Sequence, residues 1–140
     1  MPLDQNQLDL IRQSFAALKE NPERRSHEFY EAFFDRAPEV KPMFREDIEG
    51  QGMRFLATLS MIVGHLDQPE KMAERLEELG QGHRAMGVTQ AQFAPMGEAL
   101  VATLAAALGD DFTPETRAAW EAGFAEITAS VVEKGGIGQV

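Results

Sequence analysis

Residues 69–88 read PEKMAERLEELGQGHRAMGV. After Gln68-Pro69 an acidic helix begins, in which Met72, Leu76, Leu79 and His83 follow one another at steps of four, three and four, one face of an α-helix. Gly80, Gly82 and Gly87 are expected to weaken this helix and end it. Glu77-Glu78 are adjacent, so their side chains diverge into solvent rather than forming a catalytic pair. The stretch therefore predicts a surface helix whose apolar stripe ends in a histidine.

The same spacing continues outward in both directions. Leu8, Ile11, Phe15 and Leu18 mark a first helix, opened by a capping box of Asp4 and Gln7 and broken at Asn21-Pro22. Phe29, Tyr30, Phe33 and Phe34 lie on the apolar side of a second, which stops near Ala37-Pro38. Pro38 and Pro42 leave room for a turn or two, up to Phe44. The run Glu49-Gly50-Gln51-Gly52 opens a longer helix to about Leu66, with Leu56, Leu59, Ile62 and Val63 buried. Beyond residue 88, Phe93, Met96, Leu100 and Leu104 form a helix closed by Gly109-Asp110-Asp111. A last helix has Thr113 as N-cap, Pro114 in its first turn and Trp120, Phe124, Ile127 and Val131 as its stripe. The tail from about residue 135 is expected to fray. No segment alternates with period two, and no linker or repeat divides the chain. The expectation is one all-α domain over residues 1–140.

A chain of 140 residues suffices for one domain with a substantial core. It contains no cysteine, which excludes disulfides, thiolate metal sites and cysteine nucleophiles and suits a reducing compartment. Neither a secretory leader nor a bilayer-spanning apolar run is read from the sequence, so a cytoplasmic protein with no membrane role is expected. Asp plus Glu number 23 against 13 Lys plus Arg, a net charge of −10 without a basic stripe, which argues against nucleic acid as a partner. Phosphate loops, HExxH and GxSxG patterns are absent, and no catalytic residue is assigned.

Of three histidines, His27 and His65 have polar neighbours and read as surface residues. His83 is different because it extends an apolar stripe. Spacing alone leaves it open as a packed core residue or as a metal ligand whose second ring nitrogen is held by a helix-end carbonyl. Tyr30, the sole tyrosine, reads equally as a core ring, and Gln51 as an exposed residue at a helix entry.

Together with their surroundings these residues resemble a family. Phe29-Tyr30, the segment 38–44 (PEVKPMF), the segment 51–63 and the segment 83–88 (HRAMGV) are similar to bacterial single-domain globins and to the globin domain of flavohaemoglobins. The similarity runs from about residue 8 to residue 131, with 32 residues between Gln51 and His83. It implies a globin fold, a single helical domain enclosing haem b (iron protoporphyrin). His83 would be the proximal iron ligand and Phe44 would stack on the porphyrin. Tyr30 and Gln51 would face the sixth coordination position, and Phe55, one turn beyond Gln51, would cover the same distal pocket. Arg54 and Arg84 would approach the haem propionates.

The chain departs from flavohaemoglobins on the proximal side. Phe93 and Phe124 stand at positions matching tyrosines, and Gly135 stands where a glutamate is expected, with Glu133 two residues off register. A phenylalanine donates no hydrogen bond, so the electron push toward oxygen activation is weakened. Flavin and nicotinamide domains are not seen in the sequence. The resemblance thus implies reversible binding of O₂, NO and CO, for oxygen transport or storage, with NO detoxification if a separate reductase supplies electrons. A dedicated NO dioxygenase is the alternative, and a haem-free interaction or sensor module the third reading.

Overall fold

Capping residues and prolines set the helix boundaries in the computed structural model, which describes residues 3–43, 48–85 and 87–137. Helix α1 (Gln5–Glu20) starts at the expected capping box: the Asp4 carboxylate accepts from Gln7 N at 2.8 Å, and the Gln7 side chain accepts from Asp4 N at 3.0 Å. Asn21 ends α1 and caps α2 (Pro22–Arg36). A 3₁₀ segment (Pro38–Met43) spans the two prolines. Helix α3 (Ile48–Gly64) and helix α4 (Pro69–Ala85) follow. Helix α5 (Phe93–Leu108) stops at Gly109, whose φ of 56° suits glycine. Helix α6 (Pro114–Gly135) begins with Thr113 Oγ1 accepting from Thr116 N at 3.1 Å. Phe44 lies outside the described residues, as do Met86 and residues 138–140.

The helices cross in pairs: α4 against α6, α2 against α5 and α3, and α1 across α5 and α6. One group of buried side chains joins Ile11, Phe15 and Leu18 of α1 to Phe29, Phe33, Leu100, Leu104 and Trp120. A second joins Met72, Leu76, Phe93, Val131 and Ile137. Trp120 Nε1 donates to Ser14 Oγ at 2.7 Å, so the one polar atom of that indole is satisfied inside the core. By length and composition the segment Gln90–Asp111 is apolar enough to cross a bilayer. Here that apolarity serves packing, because α5 supplies Ala99, Leu100, Val101, Thr103 and Leu104 to the interior.

Two of the three glycines read as weakening and ending α4 lie inside it, and Gly52, read at a helix opening, also lies inside its helix. Gly80 lies within α4, where its backbone meets the backbone of Gly135 and Val131 on α6 with no room for a Cβ on either glycine. Gly52 lies within α3, where a Cβ would fall 2.5 Å from Ser26 Cβ of α2. Gly82 is helical and faces open space, so α4 simply runs through it. Gly87 does mark the end: at φ 83° it donates to Arg84 O at 3.0 Å, and Val88 N donates to His83 O at 3.0 Å. The tail also differs from expectation. Gly135 is buried in the last turn of α6, Gly136 adopts the left-handed cap, and Ile137 N donates to Val132 O at 3.0 Å. Ile137 is buried, so this glycine-capped end is docked through residue 137.

Candidate functional site

The two packed groups leave a cavity of about 340 Å³ between them, within the size range of small-molecule and cofactor sites. Its walls are mostly apolar: Phe29, Phe33, Leu59, Ile62, Phe93, Met96, Leu100, Trp120 and Phe124 all contribute. Among the described residues, no aspartate or glutamate lines it.

On one wall stands His83. Its Nδ1 lies 2.6 Å from the carbonyl oxygen of Leu79, one turn earlier in α4. A carbonyl can only accept, so Nδ1 carries the proton and Nε2 keeps a lone pair free for coordination. The partner carbonyl expected from glycine-weakened helix structure is thus an ordinary i−4 carbonyl of an intact helix. Phe93 covers the imidazole with ring centroids 5.6 Å apart. Phe124 rests on Gly97, where a Cβ would come within 2.7 Å of its ring. Phe93 thus lies beside the imidazole, and Phe124 shares the cavity lining with it.

A further part of the wall comes from α2 and α3. Tyr30, Gln51 and Phe55 all line the cavity. Phe55 stacks on Phe29 at 4.3 Å and 12°, which fixes its ring in place, and Phe29 meets Tyr30 edge-on at 5.1 Å. Burial pushes the Tyr30 hydroxyl up to about 12, against a smaller lowering influence from the Arg54 guanidinium. The hydroxyl therefore remains a donor throughout the physiological range. Gly52 lets α2 approach α3 closely enough to bring these residues to one pocket, since its Cβ position is 3.5 Å from Tyr30 Cε2.

Arg54 is exposed and lines the rim of the cavity. Arg84 is located elsewhere: it is exposed, does not line the cavity, and its Nη1 is 3.3 Å from the Cβ position of Gly136 at the C-terminal end of α6. Arg84, one residue past His83, thus lies at the C-terminal end of α6, a favourable place for a cation. His27 is exposed, and His65 Nδ1 bonds the Met61 carbonyl at 2.9 Å away from the cavity lining. The sequence reading missed Thr58, Gln92, Met96 and Val88 as lining residues. Val88 follows the end of α4 and Gln92 lies in a single 3₁₀ turn (Gln90–Gln92) before α5, stretches too short for periodicity to mark an inward side.

The globin family model matches residues 27–131, a stretch that includes α2 through most of α6. The chain belongs to the globin family. This globin is 25% identical over 121 residues to the flavohemoprotein of Bordetella pertussis and, equally, to that of Bordetella parapertussis, covering 84% of the chain in each case. It spans 30% of the length of those relatives. In three dimensions the globin resembles a hexacoordinated heme protein from an anhydrobiotic tardigrade, with a TM-score of 0.85 at 19% identity over 96% of both chains. That likeness establishes the fold.

Haem fits the residues present. An apolar cavity would take the macrocycle, the His83 imidazole with its Nδ1 already engaged would offer Nε2 to the iron, and Tyr30 and Gln51 bring a hydroxyl and an amide to the same lining.

Proposed function

We propose that this globin binds haem through His83 and uses Tyr30 and Gln51 to hold O₂ and other diatomic molecules reversibly. Haem, when bound, would supply an iron able to bind diatomic molecules reversibly. His83 Nε2 is the protein's donor, oriented by the bond from Nδ1 to the Leu79 carbonyl at 2.6 Å. The Tyr30 hydroxyl and the Gln51 amide donate toward a ligand that gains negative charge, and Phe55 limits access by volume. The macrocycle is of the b type in this reading, and the protein works in the cytoplasm, consistent with a cysteine-free acidic chain.

One observation favours ligand binding over dedicated NO dioxygenation. The imidazole's partner is a neutral backbone carbonyl, with Phe93 rather than a hydrogen-bonding side chain beside the ring. A neutral acceptor raises imidazole basicity less than a carboxylate does. NO dioxygenation is then a secondary activity that depends on a separate reductase.

The test is reconstitution of the purified protein with haem, followed by O₂ equilibrium measurements. The wild type should show a Soret band and a reversible oxy–deoxy cycle, and His83→Gly should lose tight haem retention unless imidazole is added. Unchanged retention in His83→Gly would remove His83 as the ligand. Rapid steady-state NO turnover with a supplied reductase, exceeding reversible O₂ binding as the dominant behaviour, would favour the enzyme.

A further inference from the structure

The chain carries 23 acidic and 13 basic side chains, yet among the described residues the only fixed charge lining the cavity is positive, that of Arg54. Gln51, Arg54 and Phe55 stand at i, i+3 and i+4 on α3, so one helical face presents an amide, a guanidinium and a ring to the same space. Six other arginines of the described helices pair with carboxylates, Arg12 with Asp67, Arg24 and Arg25 with Glu28, Arg36 with Glu98, Arg75 with Glu78 and Arg117 with Glu121, while Arg84 sits at the C-terminal end of α6 outside the cavity lining. Arg54 forms no such pair with a carboxylate of the described residues. Its field nonetheless reaches the pocket, because it favours the charged form of the Tyr30 hydroxyl.

A cation at the rim of a low-dielectric cavity focuses potential into it. Lining the cavity, that cation favours any ligand bearing negative charge in the space it faces. Tyr30 and Gln51 add neutral donors that distinguish ligands by hydrogen bonding; Arg54 adds discrimination by charge. We propose that Arg54 is a specificity-determining residue that makes the distal pocket selective for small anions over neutral ligands of similar reach. The proposal rests on the haem reading above, because the anion is held opposite His83.

Azide and imidazole are suitable probes, one anionic and one neutral, titrated into the ferric haem-reconstituted protein by absorbance. Arg54→Gln should weaken azide binding by on the order of tenfold, the scale of one charge-assisted hydrogen bond, while imidazole affinity stays the same. Arg54→Lys should keep most of the azide affinity, and added salt should narrow the gap between wild type and Arg54→Gln because the guanidinium is exposed. Equal shifts for both probes, or no shift for azide, would overturn the proposal. So would faster haem loss from Arg54→Gln with an unchanged azide-to-imidazole ratio, which would assign the guanidinium to the propionates. A wild-type protein that acquires no Soret band overturns the haem reading itself, and that outcome is visible before either probe is added.

Discussion

Replacing Gly52 with alanine tests whether a helix crossing sets the distal pocket. The new Cβ would lie 2.5 Å from Ser26 Cβ and 2.7 Å from Ser26 Oγ. Carbon atoms pack comfortably at about 3.5–4.0 Å, so the crossing must open by roughly 1 Å. Ser26 cannot relieve the clash by changing rotamer, because its Cβ is fixed to the α2 backbone. Overpacking of this kind costs about 1–3 kcal/mol, and the better helix propensity of alanine returns about 1 kcal/mol. The net expectation is a destabilisation of up to about 2 kcal/mol, read as a lowered urea midpoint with an unchanged m-value. The same opening moves Gln51 and Arg54 relative to Tyr30, so O₂ dissociation should accelerate alongside the loss of stability. Pairing Gly52→Ala with Ser26→Gly reopens the space and should restore both quantities, a coupling that a double-mutant cycle measures. Wild-type stability and dissociation in the single variant would refute the reasoning, and so would a double variant no better than the single one.

Tyr30→Phe should raise the O₂ dissociation rate by about 10- to 100-fold, the loss of one hydrogen bond to a charge-bearing ligand, whereas Phe55→Ala should chiefly speed association; flash photolysis separates the two. Alkaline pH should also report on Tyr30. Below pH 10 both folded and unfolded chains keep the phenol proton; between 10 and about 12 only the unfolded chain releases it, so stability falls with rising pH by up to about 3 kcal/mol, and Tyr30→Phe should flatten that slope in denaturant titrations. Ferrous protein without added ligand should be mainly five-coordinate, since among the described residues His83 is the only histidine lining the cavity; a low-spin six-coordinate spectrum would contradict this.

The helices were legible because their signals are local. Asp4 with Gln7, Asn21-Pro22 and Thr113-Pro114 each fix a boundary within a few residues, and the apolar spacing identifies the inner face of each helix. His83, Tyr30, Gln51 and Phe55 were legible through resemblance, and the structure gathers them around one cavity. Glycine roles were not. A glycine that makes room for a neighbouring helix looks like one at a helix end until its partner in space is known, as Gly52 against the Ser26 side chain and Gly80 against the Gly135 backbone demonstrate. Arg54 and Arg84 were equivalent in sequence, and only the direction of each helix relative to the cavity separates them.

The contact between Gly80 and Gly135 has a bearing on how this protein tolerates inherited change. Most helix separations are set by interdigitating side chains, so they drift as lineages exchange leucine, isoleucine and methionine. Where α4 crosses α6, main chain rests on main chain, three residues before the histidine that the helix delivers. Substitutions elsewhere along the two apolar stripes leave that spacing alone. The separation of the two helices at that crossing therefore rests on two residues with no side chain at all.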